Sequence, residues 1–165
     1  MSRQFIEQLE GVLQMLIDEH RRMLVHVESQ QAAMRELRVQ AVEDATHRQE
    51  ASRMRIASLE TRRRMLVQQI ARLHRLDPQQ TTLAQIAALS GQGGQRLLVL
   101  RDELKGLINQ IADRTHIAGR LASAVLGHLN TAMRLFADAV GQAGTYTKHG
   151  VPRMSGRIGV MEAVG

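Results

Sequence analysis

The sequence predicts an all-α protein: an elongated antiparallel helical bundle, or coiled coil, of three long helices and one short helix, with a flexible glycine-rich C-terminal tail. Three observations predict it. Apolar residues recur at steps of three and four along most of the chain, the periodicity of helices packed side by side. Only two prolines occur, Pro78 and Pro152, so two long stretches carry no helix breaker. Aromatic residues make up 2% of the chain, whereas an enclosed globular core usually uses more of these bulky side chains as filler. The expected division is a single helical bundle domain over 1–140, with helices at about 3–37, 42–75, 82–90 and 95–140, and a tail over 141–165.

The first helix is read from the seam Ile6, Leu9, Leu13, Leu16, His20, Met23, Val27, Gln30, Met34 and Leu37. Phe5, Val12, Ile17 and Leu24 widen its first half, so that half is expected to touch two neighbours. A second seam runs Val42, Ala45, Gln49, Ser52, Ile56, Leu59, Arg63, Leu66, Ile70 and Leu73. The two seams mirror each other. A reversal between Arg38 and Ala41 lays the apolar start of the first helix beside the apolar end of the second. No Gly, Pro or Asn marks that turn, so a continuous bent helix is the alternative at this point.

Leu76-Asp77-Pro78 is the first clear stop, since the residue before proline is pushed out of the helical region. Thr82-Leu83-Ala84-Gln85 fits a capping box that opens a short helix carrying Leu83, Ile86, Ala87 and Leu89. Ser90-Gly91-Gln92-Gly93-Gly94 closes it. The third long helix follows, with the stripe Leu97, Leu100, Leu104, Leu107, Ile108, Ile111, Ala118, Leu121, Val125, Leu129, Ala132, Met133, Phe136 and Val140. Such a helix is roughly 65–70 Å long, against a radius of gyration near 15 Å for a compact domain of this size. The molecule is therefore expected to be elongated, with side surface available to partners. Beyond Val140, glycines punctuate a tail that holds the one tyrosine, Tyr146, and a brief extended segment is expected at Arg157 to Met161.

Little in the sequence supports catalysis. Gly91-Gln92-Gly93-Gly94 lacks the Lys-Ser/Thr of a phosphate-binding loop and follows no strand. Neither a Gly-x-Ser-x-Gly elbow nor a Ser/His/Asp cluster is found, and cysteine is absent. Asp44…His47 and Asp113…His116 have the spacing that helical bundles use for metals. The third-helix pair is expected to lie roughly 15 Å lower than the first by helical rise, so no metal site and no cofactor are expected. His20 reads as a polar interruption that sets register. The net charge of +6 raises nucleic acid as a partner. Acidic residues are interspersed throughout, however, and Arg62-Arg63-Arg64 reads as a solvated face, so no nucleic acid is expected. Neither a secretory signal nor a membrane span is legible, and membrane insertion is not expected. Nine methionines serve as core filler or as a surface that accepts a partner helix.

Taken in order, these parts resemble the FlgN family of flagellar type III export chaperones. The resemblance rests on the leucine-rich opening helix Leu9 to Leu24 and on Leu59-Glu60-Thr61-Arg62-Arg63-Arg64-Met65-Leu66 near the end of the second helix. It continues through the Pro78 break, the Thr82-Leu83…Ile86-Ala87 helix, the long third helix, and Thr145-Tyr146…Gly150. Where members often carry asparagines in mid-third helix, this chain reads Asp113-Arg114-Thr115-His116-Ile117-Ala118-Gly119. The resemblance implies a bacterial cytoplasmic chaperone, not an enzyme. It would hold hook-associated (hook–filament junction) proteins by their C-terminal helical segments and present them to the cytosolic domain of the export gate. Carried over, the partner-binding residues are Leu121, Val125, Leu129, Met133, Phe136 and Tyr146. Independently, an apolar stripe at i, i+3, i+4 and i+7 is what a partner helix docks on. The competing reading is a coiled-coil scaffold or adaptor whose exposed seams pair into a homodimer.

Overall fold

The computed structural model describes residues 2–91 and 94–143, all four of its α-helices among them. Helix α1 is Ser2–Arg35 and helix α2 is Val39–Leu73. The chain reverses between them. The Leu37 N–H bonds Met34 O at 3.2 Å and the Arg38 N–H bonds Ala33 O at 2.9 Å, with Leu37 at φ +54°. This pair of bonds, five-to-two and six-to-one, is the Schellman ending of a helix. Its left-handed residue is ordinarily Gly; here it is leucine, which is why the turn leaves no mark in the sequence. The same ending recurs after α2, with Arg75 at φ +56° and the Leu76 N–H on Ala71 O at 2.9 Å.

Asp77 accepts a hydrogen bond from the Gln79 N–H at 2.9 Å, so the Asp-Pro pair organises the connection to helix α3, Leu83–Leu89. The expected capping box is formed: the Gln85 N–H donates to Thr82 Oγ1 at 3.3 Å, and the Thr82 N–H donates to Gln85 Oε1 at 2.8 Å. Gly91, at φ +58°, turns the chain toward helix α4, Gly94–Ala143. A Cβ built on Gly94 falls 1.9 Å from the carbonyl oxygen of Ala87. Only glycine lets the start of α4 approach the α3 backbone this closely.

The chain divides into two units, Met1–Ala122 and Ser123–Gly165. In the first, α1 and α2 are antiparallel: Gln30 bonds Thr46, Gln49 reaches His26 O, and Ser52 bonds Glu19. The first part of α4 runs parallel to α1, joined by Arg96–Glu10, Arg21–Glu103 and Arg114–Glu28 ion pairs. Mirrored seams place the apolar core at one end, as the patterning requires. There Leu9, Leu13, Leu16 and Ile17 of α1 meet Leu66 and Ile70 of α2, Ile86 of α3, and Leu97 and Leu100 of α4. Fully burying one such side chain stabilises the fold by about 1.5–3 kcal/mol, so this end anchors the unit.

Toward the turn the interior becomes polar. Glu19 is 3% exposed and Ser52 fully buried. The Ser52 hydroxyl donates to Glu19 at 2.7 Å, Arg55 Nε donates to it at 2.9 Å, and Arg22 pairs with its second oxygen at 3.0 Å. Burial alone raises the Glu19 pKa, but the Ser52 and Arg55 hydrogen bonds and the charges of Arg55 and Arg22 outweigh it, leaving the carboxyl below its ordinary value. Gln31 Nε2 donates to Arg114 O at 2.5 Å, tying α1 to α4. His20 is buried, with Nδ1 2.7 Å from Leu16 O. Because a carbonyl only accepts, Nδ1 carries the proton, and the ring is anchored within its own helix.

Candidate functional site

Within the second unit the described residues are a single helical segment, 123–143, the latter part of α4. At 100° per residue, Val125, Leu129, Met133, Phe136 and Val140 fall within about 80° of one another. Ala132 and Ala139 lie on the same side. The opposite side carries Asn130, Thr131, Arg134 and Asp138, with the Thr131 hydroxyl donating to Gly127 O at 3.0 Å. This segment is therefore amphipathic along its whole described length, and its apolar side is exposed. Leu129 is 54% accessible, Met133 72% and Phe136 75%.

Arg114 lies level with Glu28 and Gln31, so α1 reaches its last residue, Arg35, about where α4 reaches Leu121. Earlier stripe residues Leu97, Leu100, Leu104 and Ala118 are buried in the first unit, and Leu121 at that unit's end is half-buried. Val125 is half-buried as well, and from Leu126 to Val140 every residue is exposed. Of the predicted site residues, Val125, Leu129, Met133 and Phe136 thus share one face of one unit. Leu121 belongs to the first unit, and Tyr146 lies outside the described residues.

Sequence reasoning missed Leu126 and Leu135, both 66% exposed. They flank the stripe on opposite edges and widen the apolar side to about half the helix circumference. Their signal was their own hydrophobicity, which the three-four stepping rule passes over. Gly127 sits on the polar side, and a Cβ there would meet nothing within 4 Å.

His47 is exposed, 3.8 Å from Glu43, and His116 is exposed on α4. The predicted height difference between them is too large. Early α4 lies level with Glu10 and not with the first turn of α1, which raises His116 to within roughly one helical turn of His47. Among the described residues, no three or more His, Asp or Glu are grouped to hold a metal. Three open hollows of about 300 to 360 Å³ indent the first unit. One is lined by Met15, Asp18, Glu19, Arg22, Arg55, Ser58 and Leu59, where the Glu19 carboxylate is already fully engaged. Another, near the turn, holds His26, whose pKa burial and the nearby Arg48 charge lower. No described helix is long and apolar enough to cross a membrane.

Comparison with known proteins supplies the remaining finding. A family model described as FlgN protein matches residues 1–153. No curated protein and no solved structure matches the chain. With the match spanning nearly the whole sequence, the chain belongs to the FlgN family, the flagellar export chaperones.

Proposed function

We propose that this FlgN-family chaperone holds hook–filament junction proteins in the bacterial cytoplasm, by their C-terminal helical segments, and hands them to the cytosolic domain of the export gate. The reading uses binding only, with no catalytic step and no cofactor. The observation that carries it is the apolar side of α4 beyond Leu121, half-buried at Val125 and exposed at Leu129, Met133 and Phe136. Monomeric proteins rarely leave a contiguous apolar patch of this extent in water, and those that do usually bind there. An incoming amphipathic helix finds anchors at i, i+4, i+8 and i+11, with Leu126 and Leu135 as walls. Methionine adapts to more than one partner surface, which suits a chaperone. Tyr146 is assigned to gate docking from the family resemblance, where a lone tyrosine serves as an anchoring side chain.

The test is a titration of the full chain with a peptide from a junction protein's C-terminus, beside the Met133→Asp/Phe136→Asp variant. Saturable binding that this variant weakens by about a hundredfold is expected, since two anchors of roughly 1–2 kcal/mol each are lost. No binding, or equal binding to the variant, discards the reading.

The same exposed side supports a second reading, in which two copies pair along α4 as a homodimeric scaffold. Sedimentation at low micromolar concentration separates the two. A tight dimer that the same variant dissociates favours the scaffold.

A further inference from the structure

The arginines of the first unit are unevenly committed. Along α1 before its last turn, and along early α4, they pair with carboxylates, as in Arg21–Glu103, Arg96–Glu10 and Arg114–Glu28; Arg35, in that last turn, is exposed and unpaired among the described residues. The end of α2 differs. From Thr61 to Leu76 the chain has five arginines and no Asp or Glu. Arg63 is held by Glu60 at 2.9 Å. Arg62 and Arg72 are exposed and make no ion pair or hydrogen bond with any described residue.

Helical spacing sets Arg62, Met65, Gln69 and Arg72 on one face, at i, i+3, i+7 and i+10, with Leu73 at its edge. Met65 and Leu73 are about half exposed. Beside them an open hollow of about 360 Å³ is lined by Phe5 of α1 with Gln69, Arg72 and Leu73. The antiparallel register brings Gln4 and Gln8 of α1 level with this stretch, and neither carries charge. The nearby Glu7 is engaged by Arg3 at 3.1 Å. Nothing described neutralises the face.

We infer that this face of α2 is a docking surface for an acidic segment of a partner protein, separate from the α4 stripe. Arg62 and Arg72 stand roughly 15 Å apart along the helix, each free to take a carboxylate through two parallel N–H bonds. The Phe5–Leu73 hollow between α1 and α2 receives one apolar side chain of the same segment. A nucleic acid would satisfy the arginines but has no side chain for the hollow. A lipid surface needs a broad apolar face, and here the apolar element is one confined site flanked by glutamines.

The probe is a synthetic peptide with leucines at helical spacing and glutamates between them. Its lysine-for-glutamate and serine-for-leucine counterparts, phosphatidylglycerol vesicles and duplex DNA are run beside it, all against the full chain. The acidic peptide is expected to bind with salt-sensitive affinity, and both counterparts to bind far more weakly. Arg62→Glu/Arg72→Glu should weaken binding at least about tenfold, since attraction becomes repulsion. Arg120→Glu/Arg134→Glu should leave it unchanged. Arg62→Gln/Arg72→Gln, which only removes charge, should fall between and guards against a folding defect, read by circular dichroism. No peptide binding overturns the inference. So does binding indifferent to Arg62 and Arg72, or vesicles or DNA preferred to the peptide.

Discussion

A buried carboxylate without partners would cost several kcal/mol, yet Glu19 sits inside the α1–α2 contact with Ser52, Arg55 and Arg22 around it. Its folded pKa lies below the ordinary value. The ionised form is therefore the one the fold favours, and the stabilisation is present above the unfolded carboxylate range and lost as pH falls through the lowered folded value. Glu19→Gln removes that dependence and is expected to lower stability by about 1–2 kcal/mol at neutral pH, measured by chemical denaturation at pH 7 and pH 3, with the difference narrowing at pH 3. The sequence hid this residue. Between Asp18 and His20 it reads as part of a solvated face, and only the three-dimensional placement of Ser52 reveals its partner. Leu37 was hidden for another reason. Its left-handed backbone ordinarily advertises itself as Gly, and a leucine there costs about 1 kcal/mol. Because Leu37 is 67% exposed, Leu37→Gly sacrifices little burial and is expected to raise stability by about 0.5–1 kcal/mol, read as a higher urea midpoint.

At the scale of elements, the junction of α3 and α4 has no slack. Gly94→Ala drives a methyl into the Ala87 carbonyl and should destabilise the first unit by about 2 kcal/mol or more. The latter part of α4 is the converse case. Helices draw most of their stability from packing an amphipathic face, this exposed segment buries little of its own, and Gly127 lowers it by up to about 1 kcal/mol further. Gly127→Ala meets no obstacle, so it should slow amide exchange over 123–143 severalfold without altering the unfolding of the first unit. The three-four stepping made this helix and its stripe legible in advance, as the Thr82…Gln85 spacing did the capping box. Register was not legible. Spacing along one helix says nothing of where its first turn lands on another, and the pairing of Arg96 with Glu10 is what lifted His116.

For the whole molecule, patterning carried the fold class because mirrored seams leave few ways to bury their apolar halves. Family membership rests on the match over residues 1–153 and agrees with the order of parts in the chain. The candidate site was half legible. Periodicity located Val125, Leu129, Met133 and Phe136, but spacing alone does not say whether such a stripe is buried, like Leu97 and Leu100, or exposed, like Met133 and Phe136. Amide hydrogen exchange over Ser123–Ala143 tests the account most directly, in the free chain and with a junction protein's C-terminal peptide. Cargo binding along the α4 stripe predicts rapid exchange in the free chain and strong slowing with the peptide, while Leu9–Ile17 stays unchanged. Free-state protection equal to that of Leu9–Ile17, or exchange that the peptide leaves untouched, would contradict it.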